Sequence, residues 1–233
     1  MISIVTGTLN RGPFLPRLIE NTIEANENIE LVLVDGGSTD GTIEYLREYI
    51  EENEGAKLKL IEIGERSFVP HFTNIGIREA SYDWYCQWND DALLVNNWDE
   101  VLNSMDDEHD MFMFNWKYGS YEDTKDSKWL SGWRDNGWCL PTDGHVLSYG
   151  LFRKSMFEKI GLFNPNLKYY YTDADITARA HAFGYKSKLL NEIKVVSLYT
   201  EKRAVHYGDD AQKYKEALKL YEDKNLPDNI EML

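Results

Sequence analysis

Residues 31–42, LVLVDGGSTDGT, decide the expected fold, because they join a short apolar run to a glycine-rich turn that ends in polar residues. A continuous apolar run of this length is typical of a strand buried on both faces. The Ser, Thr and Asp residues of the turn can cap a helix, and Ile43, Leu46 and Ile50 then share one helical face. The stretch therefore predicts a strand, a tight turn and a helix that packs back on the sheet.

The same alternation of strand and helix runs through residues 1–92. Strands are expected at 2–6, 31–34, 58–63 and 84–88, and helices at 15–23, from 40 onward and at 70–80. This order predicts an α/β fold with a mostly parallel, doubly wound central sheet flanked by helices. Ligands of such sheets bind at the carboxyl ends of the strands, where Asp35 and Asp91 fall.

Beyond residue 92 the alternation loosens. Strands are expected at 111–116, 145–152 and 194–198, and helices at 154–160, 173–183 and 209–222. Residues 118–142 form a long polar and aromatic stretch without a hydrophobic period, which is typical of a functional loop. We expect one continuous domain whose two halves, 1–92 and 93–233, share a sheet.

Composition narrows the class of function. The chain has 233 residues and a formal net charge of -15, which argues against nucleic acid or anionic lipid as a partner. No apolar run reaches the roughly 18 residues of a transmembrane helix, so no transmembrane segment is expected. Cys86 and Cys139 lack CxxC spacing and lie among aromatic residues, which favours buried thiols and a cytoplasmic protein.

Two polar turns stand at expected strand ends. At Asp35 and Gly36 the backbone could approach a ligand and a carboxylate could bind a base or ribose, although a capped turn without function has the same pattern. Asn89, Asp90 and Asp91 place two carboxylates side by side, which suits a hard divalent cation. The alternative for this triplet is a solvated acidic turn.

Asp173 stands at the start of a predicted helix. Backbone amides there keep a carboxylate ionised, so that it can serve as a general base, or it can be an ordinary N-terminal cap. Asp175 and Arg179 are four residues apart and can pair on one face of that helix.

Later in the chain, His206 follows Lys202 and Arg203. A lone histidine is more often structural than a ligand, but this one could complete an oxygen-rich metal site beside cations that hold a diphosphate. The loop at 118–142 contributes aromatic rings among Gly, Ser, Asp and Asn residues, which suits sugar stacking, although core packing is the commoner use of such rings. The rings in question are Trp129, Trp133 and Trp138.

Taken in order, these segments resemble the inverting glycosyltransferases of family 2, which have the Rossmann-like GT-A fold. The resemblance covers residues 2–207. Its parts are residues 3–11 (SIVTGTLNR), 35–42 (DGGSTDGT), 74–77 (NIGI), 89–91 (NDD), 160–164 (IGLFN) and 172–179 (TDADITAR). Each motif is weak alone, and their shared order carries the resemblance.

The resemblance implies a nucleoside-diphosphate-sugar donor and a role for each residue that matches a family motif. Asp91 would ligate a divalent metal, Mn²⁺ or Mg²⁺, with His206 approaching it, and Asp173 would be the catalytic base. The residues predicted to bind the nucleotide sugar are Thr6, Thr8, Asn10, Asp35, Gly36, Asn74, Asp90, Lys202 and Arg203. The residues predicted to bind the acceptor are Trp129, Trp133, Trp138 and Asp175.

The chain departs from the family pattern near these residues. Asn89 replaces the first acid of the metal triplet, and Gly36 stands where many members have a second aspartate. Thr73 replaces an arginine, which leaves the phosphate contacts open, and Thr172 replaces a glutamate beside the base.

The sequence thus predicts an inverting, metal-assisted glycosyltransferase that moves a sugar to a hydroxyl of a saccharide or other acceptor. Residues 1–92 would bind the nucleotide sugar, and residues 93–233 would bind the acceptor and carry the base. The alternatives are a carbohydrate-binding or degenerate non-catalytic GT-A protein and, ranked lower, a nucleotidyltransferase. The last class needs a basic phosphate loop near the N-terminus, where residues 6–13 offer only Arg11.

Overall fold

The computed structural model describes residues 1–119, 130–131, 133–134, 145–198 and 209–233. The first part alternates strands and helices, as the sequence predicts. Strands β1 to β4 span Ile2–Thr8, Ile29–Asp35, Leu58–Glu62 and Trp84–Gln87. Helices α1 to α3 span Leu15–Asn21, Thr42–Glu52 and Val69–Glu79, and a 3-10 turn at Gly12–Phe14 precedes α1.

The second part has shorter and more varied elements. Strands β5 to β11 span Ala92–Leu94, Met111–Tyr118, Leu130–Ser131, Trp133–Arg134, His145–Val146, Gly150–Arg153 and Ser187–Ser197. Helices α4 to α7 span Trp98–Ser104, Phe157–Ile160, Thr172–Ala182 and Asp210–Glu222, and a 3-10 turn at Lys154–Met156 precedes α5.

One large sheet unites both parts of the chain in the order β3-β2-β1-β4-β10-β6-β11-β5, with β7 paired to β6. Strands β1 to β4 are parallel neighbours, and β6 pairs in parallel with β11. Strand β10 lies antiparallel between β4 and β6, and β5 is antiparallel to β11. Because β10 reverses direction between them, β1 to β4, β6 and β11 all run the same way, which confirms the mostly parallel sheet.

Helices cover both faces of this sheet. On one face, α1, α2 and α4 pack over an apolar cluster that includes Ile4, Leu33 and Trp98. On the other face, α3, α5 and α6 pack over a second cluster that includes Val5 and Val32. Successive residues of β1 and β2 thus point to opposite cores, which explains the unbroken apolar runs of the sequence.

Helix α3 lies unusually close to β1 because Gly76 has no side chain. A Cβ atom at Gly76 would stand 2.1 Å from Cγ1 of Val5, and one at Gly7 would stand 2.8 Å from the ring of Phe72. The first turn of α3 therefore lies against the carboxyl end of β1, beside the candidate site.

The structure departs from the sequence-based prediction in several places, among them the short strands β7 and β8 within the stretch 118–142 that was expected to be a loop. Strand β5 and helix α4 were not expected, and β11 begins seven residues before the expected start at residue 194. The strand expected at 145–152 is divided into β9 and β10. The division arises because the backbone N–H of Leu147 donates to the hydroxyl of Thr177 on α6 instead of to a neighbouring strand.

Cys86 is a free thiol that is fully buried on β4, as its surroundings predict. Burial raises the pKa of this thiol well above its ordinary value, so it behaves as a small apolar residue. Cys139 lies outside the described residues. Within the ranges that the structure describes, no helix combines the length and the hydrophobicity needed to cross a membrane.

Candidate active site

The turns after β1 and β2 are joined by hydrogen bonds at the carboxyl edge of the sheet. Oδ1 of the fully buried Asp35 accepts hydrogen bonds of 2.8 Å from the N–H groups of Gly37 and Ser38, and Oδ2 accepts one from the Ser38 hydroxyl. Across the gap, Asn10 donates its N–H to Ser38 Oγ and accepts at Oδ1 from the N–H of Thr39, both at 2.8 Å. Asp35 therefore shapes its own turn first, and acceptor capacity for a ligand remains on Oδ2 alone.

Thr6 and Thr8 project from one face of β1 toward this edge, and Thr8 is paired in register with Asp35. Oγ1 of Thr8 is buried and lacks a hydrogen-bond partner in the described part of the chain. Burying a hydroxyl in this state costs about 1–3 kcal/mol, which a bound ligand can recover. The hydroxyl of Thr6 donates to the carbonyl oxygen of Gly7 at 3.2 Å.

Gly36 is the more open of the two glycines after Asp35. A Cβ atom at Gly36 would meet its nearest neighbour, the carbonyl oxygen of Glu65, at an ordinary 3.5 Å. Gly37, in contrast, has a φ of 87° and stands where a Cβ would lie 2.7 Å from the carbonyl oxygen of Gly64. The backbone thus requires glycine at 37, whereas a Cβ atom at 36 would make only ordinary van der Waals contacts.

The polar triplet after β4 is held from two sides. Asn89 donates through Nδ2 to the hydroxyl oxygen of Tyr149 at 2.7 Å. Oδ2 of Asp90 lies 3.6 Å from Nε of Arg11, so this carboxylate already faces a cation from the first loop. Burial raises the pKa of the Tyr149 hydroxyl well above its ordinary value, which keeps that group neutral beside the acids.

Asp91 differs from its neighbours because its carboxylate has no hydrogen bond or ion pair with any residue of the described ranges, although it is only 3% exposed. Its backbone carbonyl accepts the N–H of Leu198 at 2.6 Å, which fixes the residue at the end of β11. A nearly buried carboxylate without a partner is costly unless a cation neutralises it. The Asp91 carboxylate can supply one ligand to a divalent metal ion. No cluster of three or more such ligands occurs among the described residues.

Asp173 lies in the first turn of α6, at the predicted position. Its Oδ1 accepts the N–H of Ala174 and its Oδ2 accepts the hydroxyl of Ser148, both at 2.9 Å. The hydroxyl of Thr177 donates to the carbonyl of Asp173 at 2.7 Å and accepts the N–H of Leu147 at 3.1 Å. The half-buried carboxylate is therefore oriented by two bonds, as a general base requires.

The loop before α6 is anchored by α7. Asp210, at the start of α7 and 3% exposed, accepts the backbone N–H groups of residues 168–170 at 3.0–3.1 Å. Tyr171 then takes a left-handed conformation, with a φ of 63°, and α6 begins at the next residue. The carboxylate of Asp210 thus sets the position from which Asp173 enters the site.

Asn74, which the sequence predicts to bind the donor, has structural contacts. Its Nδ2 donates to the carbonyl of Phe163 at 3.0 Å, and its Oδ1 accepts the N–H of Phe163 at 2.9 Å. The residue is 2% exposed. Because both ends of the carboxamide are used in this way, Asn74 joins α3 to the segment before α6.

Asp175, which the sequence predicts to bind the acceptor, is likewise bonded within the protein. Its fully buried carboxylate accepts hydrogen bonds from Arg179 Nη2 at 3.1 Å, from Asn164 Nδ2 at 3.3 Å and from the Tyr221 hydroxyl at 2.6 Å. The predicted pair with Arg179 is confirmed. These contacts make Asp175 the centre of a polar network between α6 and α7, enclosed by protein on every side.

Several predicted residues lie outside the described ranges, namely Trp129, Trp138, Lys202, Arg203 and His206. The backbone of Trp133 belongs to β8, and its side chain lies outside the described part. Strand β7 pairs with Asn115 and Trp116 of β6, and β8 pairs with β9.

Sequence reasoning missed two contributors to this edge, Gln87 and Ser148. Nε2 of Gln87 donates to the carbonyl of Ser148 at 3.2 Å, while its Oε1 is buried without a partner in the part that the structure describes. The available signal was a polar residue in an apolar strand directly before the acidic triplet. Ser148 gave no such signal, because its role depends on α6, which follows it in the chain.

The chain matches a known protein family. Residues 3–161 match the family described as Glycosyl transferase family 2. Glycosyltransferase GlyG of Streptococcus pneumoniae is 24% identical over 125 residues, which are 53% of this chain and 41% of that protein. A Methanococcus voltae protein named dolichyl N-acetyl-alpha-D-glucosaminyl phosphate 3-beta-D-2,3-diacetamido-2,3-dideoxy-beta-D-glucuronosyltransferase is 30% identical over 87 residues, 36% of this chain and 27% of that protein. The chain spans less than half the length of these curated relatives.

Solved structures agree on the fold. The mannosyltransferase PcManGT from Pyrobaculum calidifontis, in complex with GDP-Man and Mn²⁺, superimposes with a TM-score of 0.67 at 20% identity, over 86% of this chain and 57% of that one. S. aureus TarS 1–349 in complex with UDP-GlcNAc gives a TM-score of 0.71 at 16% identity, over 94% of this chain and 66% of that one. The family match, the sheet order and these two likenesses together lead to one conclusion: the chain belongs to glycosyl transferase family 2 and has the GT-A fold.

Proposed function

We propose that this protein is an inverting, metal-assisted glycosyltransferase that moves a sugar from a nucleoside-diphosphate donor to an acceptor hydroxyl. The observation that carries the proposal is the carboxylate of Asp91, nearly buried and without a partner among the described residues, at the same sheet edge as the oriented carboxylate of Asp173. A site for a cation beside a site for a proton is the arrangement that glycosyl transfer needs.

The donor's nucleoside would bind at the carboxyl ends of β1 and β2. The free hydroxyl of Thr8 supplies one hydrogen-bonding group, and Oδ2 of Asp35 supplies another. Thr6 and the open side of Gly36 complete the walls, while Asn10 holds the two turns together. The solved complexes of PcManGT with GDP-Man and of TarS with UDP-GlcNAc support a nucleotide sugar as the ligand class.

The donor's diphosphate needs positive charge, since the chain carries a net charge of -15. Asp91 would ligate a divalent ion, Mn²⁺ or Mg²⁺, with His206 as a proposed second ligand. When bound, that ion supplies neutralisation of the charge that grows on the leaving diphosphate. Arg11, which already faces Asp90, would orient that acid beside the phosphates, and Lys202 and Arg203 are proposed to add positive charge.

In the transfer step, Asp173 would accept the proton of the acceptor hydroxyl. The acceptor oxygen attacks the anomeric carbon from the face opposite the diphosphate, and the bond from that carbon to the diphosphate oxygen breaks. One substitution at carbon inverts its configuration, and the proton remains on Asp173 until solvent removes it. The bonds from Ser148 and Ala174 hold the carboxylate in one orientation during this transfer.

The acceptor would bind on the side of residues 93–233, where β7 pairs with β6 and β8 pairs with β9. We propose Trp129, Trp133 and Trp138 as stacking surfaces for a saccharide, and residues 1–92 as the donor side. Asp175 takes no part in acceptor binding, because it is enclosed in the interior.

Thermal shift with nucleoside diphosphates tests the proposal. GDP or UDP should raise the melting temperature in the presence of Mn²⁺ and much less in its absence, because a ligand that binds only the native state stabilises it. Turnover of the corresponding nucleotide sugar, measured as release of nucleoside diphosphate, should follow the same ion dependence. Binding without any turnover would favour a non-catalytic GT-A protein, and no shift with any nucleotide would refute the donor class.

A further inference from the structure

The segment 147–149, between β9 and β10, connects the two reactive parts of the site. The hydroxyl of Ser148 donates to Oδ2 of Asp173 on α6 at 2.9 Å. The next side chain, Tyr149, accepts Nδ2 of Asn89, the first residue of the acidic triplet, at 2.7 Å. Ser148 therefore bonds to the proposed base, Asp173, on one face of the sheet. The adjacent Tyr149 bonds to the triplet at 89–91 on the other face.

The backbone of Ser148 is held without help from its own hydroxyl. The N–H of Leu147 donates to the hydroxyl of Thr177, which in turn donates to the carbonyl of Asp173. From the other side, Gln87 Nε2 donates to the carbonyl of Ser148 at 3.2 Å. Since α6 and β4 already fix this segment, the hydroxyl of Ser148 is not required to dock it.

We propose that Ser148 is the positioning residue of Asp173, a role that rests on the proposed function of Asp173 as the base. The bond to Oδ2, together with the bond from Ala174 N–H to Oδ1, fixes the plane of the carboxylate. Without the hydroxyl, the carboxylate loses one constraint on rotation about its Cβ–Cγ bond, and the geometry for accepting a proton is populated for less of the time. Ser148 acts through Asp173 and touches no substrate itself.

A double-mutant cycle tests this role in the full chain. Ser148→Ala should lower kcat about tenfold, the scale of one lost hydrogen bond to a charged group, with little change in the donor KM or in the melting temperature. In an Asp173→Asn background, the same substitution should cause no further loss, because the group it positions is no longer a base. Ser148→Thr keeps a hydroxyl and should retain most of the wild-type kcat.

Ser3→Ala is the matched control. The hydroxyl of Ser3 also donates to a buried carboxylate, that of Glu30, but at the opposite end of β1. Its removal should lower the melting temperature and leave kcat unchanged. This variant separates the loss of any serine–carboxylate bond from the loss of the bond at the base.

The cycle distinguishes two failures. If Ser148→Ala lowers kcat equally in the wild-type and Asp173→Asn backgrounds, or acts only through the melting temperature, Ser148 has a structural role and the inference is refuted. If Asp173→Asn itself keeps full activity, the base is misassigned and the proposed mechanism fails before Ser148 is considered.

Discussion

Replacing Asp175 by Ala should strongly destabilise the fold, because the substitution removes the counter-charge of a buried guanidinium. Arg179 is 0% exposed, and its Nε has no hydrogen-bond partner within the described residues. Its Nη2 donates to Asp175, and its other bonds go to the carbonyls of Ile160 and Leu162 at 2.6 and 2.9 Å. The two carbonyls would remain after the substitution, but neither carries a negative charge.

The magnitude follows from this geometry. Removing one partner of a buried ion pair typically costs about 3–5 kcal/mol, because the remaining charge is left uncompensated. The carbonyl bonds of Arg179 reduce that cost, whereas the hydroxyl of Tyr221 and the amide of Asn164 also lose their acceptor and increase it. We therefore expect a loss of about 4 kcal/mol, equivalent to roughly 8–16 °C in melting temperature for a domain of this size.

Urea unfolding of Asp175→Ala and Tyr221→Phe provides a graded assay. Burial, together with the nearby Asp175, raises the pKa of the Tyr221 hydroxyl well above its ordinary value, so this group remains a donor at every working pH. Tyr221→Phe removes that single bond and should cost about 1.5–3 kcal/mol, less than the loss of the carboxylate. An Asp175→Ala variant with an unchanged unfolding midpoint and a raised acceptor KM would refute this reasoning and restore Asp175 as an acceptor contact.

Three other perturbations test separate parts of the argument. Asp91→Ala should abolish the divalent-ion dependence of nucleoside-diphosphate binding along with most turnover, and an unchanged metal titration would remove Asp91 from the metal site. Trp133→Ala should raise the acceptor KM and leave donor binding and melting temperature nearly unchanged if the ring is a platform, whereas loss of a core ring would cost about 3–5 kcal/mol of stability without altering acceptor kinetics. Hydrogen bonds from Lys188 and then His109 hold the pKa of Asp106 well below its usual range. The ionised carboxylate therefore stabilises the fold at pH values above its unfolded pKa of about 3.9, and this stabilisation is lost as the pH falls. Asp106→Asn should therefore weaken the fall in melting temperature below about pH 4, and an unaltered acid dependence would contradict this linkage.

The strands of the first part could be predicted because a strand buried on both faces has a continuous run of apolar residues. All seven residues of β2 are buried, and the four apolar residues 31–34 form the run that ends at Asp35. Helix α4 was not predicted, although Trp98, Val101 and Leu102 have the same i, i+3, i+4 spacing as Leu15, Leu18 and Ile19 of α1. The residues of its N-terminal cap could also be recognised in the sequence. Oδ1 of Asn97 accepts the N–H of Glu100 at 2.9 Å, and Nδ2 of Asn97 donates to the Glu100 carboxylate at 2.8 Å.

The candidate site was harder to predict than the fold, because the type of a polar residue does not show whether it bonds to protein or to a ligand. Asp91 and Asp173 stand at a strand end and a helix start, positions that follow from the order of elements along the chain. Asn74 and Asp175 belong to equally suggestive motifs, yet their partners lie 89 residues away, at Phe163, and 46 residues away, at Tyr221. Only the packing of α3 and α7 against the rest of the chain decides between these uses.

Charge explains how a strongly acidic chain could bind the anionic donor that we propose. The acids at the sheet edge are not equivalent: Asp35 is satisfied by the amides of its own turn, and Asp90 faces Arg11. Asp91 alone among these three has no such contact with a described residue. One carboxylate is thus left for a cation, and a divalent ion bound there would reverse the local charge from negative to positive. On this argument the ion is part of the donor's binding site rather than an addition to it, so the affinity for nucleoside diphosphate and the affinity for metal should rise and fall together.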